Sequence, residues 1–215
     1  MSYGADMPSP TSTTSRGSSV ARVRQAQRLE TRARLFNAAV AEIGRSGLAG
    51  ADVSAIAAAA GVVRGTFYFH FPTKEHVVIE LERAEEARIV AMLDTRTAER
   101  DDLVSVLSLL VREVVAAEQR LGPVVFRDML GLHFSSTRPV EDELGEHPLA
   151  EFVIAAIAEA QAGERVLRDA DAGELGVFFL TGLFALLATG MAASGARAAM
   201  LDRYVKTIVQ GMEAR

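Results

Sequence analysis

Apolar residues near the start of the chain fall at helical intervals. Leu29, Ala33, Phe36, Val40 and Ile43 recur at steps of three and four, which places them along one stripe of a helix. Gly47 stands where that helix stops. Asp52 then precedes Val53, Ile56, Ala57 and Ala60, and its short carboxylate suits the free amides that begin a second, short helix. Gly61 supplies the left-handed residue of a turn, and a third helix is predicted from about Val63 to His70. It buries Phe67, with Val62 and Phe71 at its ends, before Pro72 breaks it and Thr73 caps the next.

Longer helices follow. One is predicted over 73–94, with Val77, Val78, Leu81, Ile89, Met92 and Leu93 as its apolar contacts, and another over 101–119, carrying Leu103, Val106, Leu107, Leu110, Val111 and Val114. Shorter ones are expected near 122–134 and 148–162, separated by the exposed loop SSTRPVEDELGEHP. The fold class is all-α. Residues 175–196, LGVFFLTGLFALLATGMAASGA, carry no charge and are long enough to cross a bilayer. Four glycines and the want of flanking lysines argue instead for a buried helix, and no membrane partner is expected. Small residues at Ala185, Thr189 and Ala193 let another helix come close. With the amphipathic segment 197–212, bearing Met200, Leu201, Tyr204, Val205, Ile208 and Val209, the helix at 173–194 makes a four-helix homodimer interface.

Composition narrows this picture. The chain has 215 residues and no cysteine, which excludes a disulfide framework and thiolate-ligated metals and fits a reducing compartment. The four histidines, His70, His76, His133 and His147, are scattered, so no metal and no cofactor are expected. The net charge of −5 is unevenly placed. Residues 1–80 hold nine Lys and Arg against six Asp and Glu, and residues 81–215 hold fourteen against twenty-two. Six of those arginines (Arg16, Arg22, Arg24, Arg28, Arg32, Arg34) lie within the first 34 residues, beside only Asp6 and Glu30. A basic beginning on an acidic body points to a polyanion at that end. Residues 1–26, rich in Ser, Thr, Gly and Pro, read as a flexible basic arm. With no apolar run behind its charges it is not a signal peptide, so a cytoplasmic location is expected.

The segment GVVRGTFYFHFPTKEHV, residues 61–77, holds the candidate chemistry. Helix, glycine turn and second helix make a helix-turn-helix, whose outer side offers Arg64, Thr66, Tyr68 and His70 as hydrogen-bonding groups. Gly65 allows close backbone approach, and Lys74 with the first amides of the next helix can meet a phosphate. Arg64 can pair bidentately with guanine.

Residues 29–77, and this segment above all, resemble the DNA-binding domain of the tetracycline-repressor (TetR) family of bacterial transcription regulators. The resemblance implies an N-terminal three-helix DNA-binding domain at 27–74, followed at 75–215 by a helical domain that binds a small molecule and dimerises. It places Arg64, Gly65, Thr66, Tyr68 and Phe69 at the major groove, His70 and Lys74 on phosphates, and Ser54 close to DNA. Val63 and Asp52 depart from the family pattern, which usually has serine and threonine there. The implied function is a regulator, with repression the expected effect, that binds a palindromic double-stranded operator as a homodimer and is released by an effector. Phe126, Arg127, Met129, His133, Phe152, Phe178 and Thr181 are the candidate effector contacts, and their apolar character suggests a hydrophobic effector. With no nucleophile elbow and no phosphate-binding glycine loop, the chain does not read as an enzyme. A helical small-molecule-binding protein without DNA activity is the alternative.

Overall fold

The computed structural model describes residues 14–97, 102–139, 147–189 and 195–213. Among them run nine helices: α1 (Thr14–Gly50), α2 (Val53–Ala59), α3 (Arg64–His70), α4 (Lys74–Thr97), α5 (Leu103–Leu121), α6 (Pro123–Leu132), α7 (Pro148–Ala162), α8 (Ala172–Ala188) and α9 (Gly195–Met212). The all-α expectation holds. Residues 1–13 of the expected arm, residues 140–146 of the expected loop at 135–148, and Ala193 lie outside the described residues.

Helices α1 to α3 form a small head. Asp52 Oδ1 accepts from Ser54 N at 2.8 Å and starts α2 as its sequence position predicts. Gly61 has φ +69°, a conformation in which a side chain would be strained. The head's core is Leu35, Ala39, Val53, Ile56, Ala60, Phe67, Phe71 and Val77. One expectation is corrected here. The buried stripe of α1 runs through Leu35, Ala39 and Ile43, whereas Leu29 and Ala33 are exposed and Phe36 and Val40 flank it. Both phases satisfy a period of 3.6, and only the position of Phe67 and Phe71 decides between them. The arm also differs from expectation in its second half, because α1 already begins at Thr14.

The body is built from α4 to α9 around Leu93, Leu107, Leu110, Phe126, Ile157, Phe179 and Leu183. Helix α8 is seated between neighbours and is not long and apolar enough to cross a membrane, nor is any other described helix. At Gly182 an added Cβ would collide with the Tyr204 hydroxyl, which donates to the Phe179 carbonyl at 2.6 Å, so glycine is what lets α9 close onto α8.

Head and body meet at two places. Helix α4 leads out of the head directly, as its sequence position requires. The second joint is one the sequence conceals: α1 breaks at Gly47 (φ +71°), and the freed Leu48 amide donates to Asp128 Oδ2 of α6 at 2.6 Å.

Candidate nucleic-acid interface

Helix α3 is held from behind and open in front. Phe67 is fully buried, edge-on to Tyr68 at 5.5 Å and tilted against Phe71 at 5.7 Å, so the rings of its inner side are core. The opposite side presents Arg64, Gly65 and Phe69 to solvent, with Tyr68 45% and Phe69 66% exposed. Thr66 and His70 are half-buried at the edges, and Ser54 is exposed on neighbouring α2. Of the eight residues singled out from the sequence, Arg64, Tyr68 and Lys74 line one depression, while Phe69 and His70 pack edge to face beside Arg28 of α1.

Gly65 is informative because the fold makes no use of it. A Cβ there would meet nothing within 4 Å, and the φ is not one that requires glycine. Glycine inside a helix costs about 1 kcal/mol relative to alanine, so a short helix tolerates it here at a loss. Close approach by something outside the chain would account for it.

This surface carries charges of both signs, Arg64 and Lys74 beside Asp52 and Glu75. Arg64 Nη2 donates to Tyr68 Oη at 3.3 Å, and the guanidinium lies 5.8 Å from the tyrosine ring. That hydrogen bond, chiefly, raises the Arg64 pKa, with a smaller attraction from Asp52. Asp52, Arg64, Tyr68, Thr73 and Lys74 line one depression of ≈ 370 Å³. Asp52 thus caps α2 and also lines the depression that holds the arginine. The His70 pKa is lowered, first by burial and then by the charges of Arg28 and Arg32. A neutral imidazole at pH 7 can still donate one N–H to a phosphate.

Lys74 has a second task. Its ammonium donates to the Ala49 carbonyl at 2.8 Å and the Ala51 carbonyl at 3.3 Å, pinning the start of α4 to the loop before α2. One of its three donors is left for a phosphate.

The candidate effector residues are not assembled in one place. Phe126 and Met129 are core, and Phe152 is half-buried against it. His133 stacks on Phe184 at 4.7 Å and pairs with buried Glu82. Arg127, Phe178 and Thr181 face outward. Helix α8 is apolar nearly all round, so its sequence does not reveal which side looks inward. A ligand-sized cleft of ≈ 480 Å³ opens elsewhere, between α5 and α9, with Val111, Val115, Leu201 and Val205 as walls and Ser105, Ser108 and Arg112 among its polar groups.

Comparison with known proteins agrees with this geometry. Residues 35–81, which span the core of the head and the start of α4, match the family of bacterial regulatory proteins described as the tetR family. No curated protein matches the chain. Among solved structures, the Thermus thermophilus FadR, a TetR-family transcriptional repressor in complex with lauroyl-CoA, is 22% identical with a TM-score of 0.71, over 86% of this chain and 96% of that one. The fatty acid degradation regulator FadR from Bacillus halodurans is also 22% identical, with a TM-score of 0.60 over 84% and 98%. RolR in complex with resorcinol is 17% identical, with a TM-score of 0.63 over 87% and 90%. At such identities the likeness is one of fold.

Proposed function

We propose that this head, which matches the tetR family, makes the chain a cytoplasmic transcriptional repressor, which binds a palindromic operator as a homodimer and lets go when a small molecule occupies the body. The observation that carries this reading is α3 itself, whose exposed arginine and tyrosine surround a glycine that the fold does not need. Seven residues span roughly 10 Å of helix, enough for only a few base pairs. Two such helices set about 34 Å apart read one palindrome, and this supplies a reason for dimerisation.

Helix α8 offers the pairing surface. Val177 and Phe178 are 42% and 64% exposed, and Thr181 and Ala185 continue that side at helical spacing. Phe178→Glu is expected to convert a dimer to a monomer in sedimentation velocity without loss of helicity. A variant that stays dimeric would move the interface elsewhere.

For the effector, two structural relatives carry lauroyl-CoA and resorcinol, which supports a small molecule in the body. The cleft between α5 and α9 is the site we assign to it. A ligand there must prefer one arrangement of the head over the other, since equal affinity shifts nothing. The joints available to it are α4 and the Asp128–Leu48 contact.

Gel shifts with the gene's own upstream DNA test the whole reading. Specific retardation that weakens steeply with salt, and is lost in Tyr68→Ala, is the expected result. Tyr68 is the cleaner choice than Lys74, whose removal would also free two backbone carbonyls. Indifference to DNA would leave a helical ligand-binding protein. Ala198→Trp, which fills the cleft, should keep the shift and make it insensitive to any effector found; persistent sensitivity would place the effector elsewhere.

A further inference from the structure

We propose that the N-terminal half of α1 is a second DNA-gripping element, an arginine stripe that holds phosphates beyond the reach of α3. It rests on the DNA-binding reading above and adds which residues make the grip and how far it extends.

Helix α1 runs on from Thr14 well ahead of the first residue of the head's core, Leu35. Residues 21–30 are exposed without exception, Val23 and Leu29 included. A helix that buries nothing gains little from its own chain. Its charge pattern gains nothing either. Arg24, Arg28 and Arg32 are spaced by four and so share one side, where like charges repel, and Glu30 is the sole acid from 21 to 34.

Two contacts fix the direction of that side. The Arg28 guanidinium lies 5.0 Å from the centre of the Phe69 ring, and that of Arg32 lies 4.6 Å from the centre of Phe71. The stripe therefore flanks α3, and Arg24 continues it one turn further out. Arg32 is neutralised by Glu80 of α4. Among the described residues neither Arg24 nor Arg28 has an acidic partner, and the charge of Arg28 reaches as far as His70. Two cations without an acidic partner beside α3, on a rod whose residues 21–30 are all exposed, match the regular negative charge of a nucleic-acid backbone.

The rod has a measurable reach. From Arg32 back to Arg24 is roughly 12 Å of helix, the length of about three to four base pairs. Phosphate contacts there would add affinity and salt dependence without adding sequence preference.

Arg24→Ala is the informative variant, since Arg24 is exposed and has no hydrogen bond or ion pair among the described residues. In the full-length chain, measured as binding to the operator over a series of salt concentrations, it should flatten the slope of log affinity against log salt by about 2 per dimer. Arg24→Ala/Arg28→Ala should flatten it further, and both should weaken operator and scrambled duplex by the same factor. Trimming about three base pairs from each flank should weaken the unchanged chain and leave the double variant unaffected. An unaltered slope in Arg24→Ala, or a flank dependence that survives the double variant, overturns the proposal even while Tyr68→Ala abolishes operator binding. Weaker binding in Arg28→Ala with an unchanged salt slope would reduce Arg28 to a packing partner of Phe69 and also overturn it. If the unchanged chain binds no duplex, the DNA reading itself fails, and this one with it.

Discussion

Arg64→Ala is expected to lower the affinity of the dimer for its operator by between about 30-fold and about 10⁴-fold. A bidentate arginine–guanine pair discriminates by about 1–3 kcal/mol, the symmetric complex contains it twice, and each 1.4 kcal/mol is tenfold. Stability should change little. Arg64 is exposed and its only described hydrogen bond is to the exposed Tyr68 hydroxyl, so its removal leaves no buried group without a partner. Arg64→Lys separates charge from geometry. Lysine retains the attraction to phosphates but not the planar fork, so affinity for scrambled DNA should persist while preference for the operator falls. Equal operator affinity in Arg64→Ala and the unchanged chain would remove this side chain from the groove.

The head was legible because its determinants are local. A cap at Asp52, a left-handed glycine at Gly61 and a proline at Pro72 each act within a few residues, and α2 and α3 fall where those signals put them. The bounds of α7, Pro148–Ala162, agree for the same reason. What escaped the sequence depends on partners far along the chain. The phase of α1 depends on aromatic rings about thirty residues later, and the joint between Asp128 and Leu48 spans 80 positions. Phe178 and Thr181 look like pocket residues in a uniformly apolar helix, yet neighbours on both sides turn them out. The helical start of α1 at Thr14 is a different kind of miss, since Ser, Thr and Gly argued locally for an arm.

The polar network of the body belongs to the same hidden class and carries the second large effect. Glu82 of α4 is buried, with its side chain 3% exposed, and pairs with His133 at the end of α6 and with Arg138 at 3.0 Å. One turn on, Glu86 accepts from the Leu149 amide of α7 at 3.4 Å and faces His147 at 3.7 Å. These contacts tie the helix that leaves the head to two helices of the body, so any tilt of α4 works against them. Burial pushes the Glu82 pKa up, but the hydrogen bond and charge of His133 and those of Arg138 outweigh it and hold the carboxyl below the usual glutamate range. A depressed folded pKa means stability that is fully present above the ordinary glutamate value and is lost as pH falls through the folded one. Glu82→Gln should therefore cost about 3 kcal/mol at neutral pH, toward the lower end for removing one member of a buried ion pair, since the Arg138 side chain keeps 16% exposure. For a chain of this length that corresponds to a drop of roughly 6–12 °C in Tm. The two proteins should converge on acidification, as protonation of Glu82 in the unchanged chain removes the same charge. A constant gap in Tm down to pH 3 would show that Glu82 stabilises by shape and hydrogen bonding rather than by its charge.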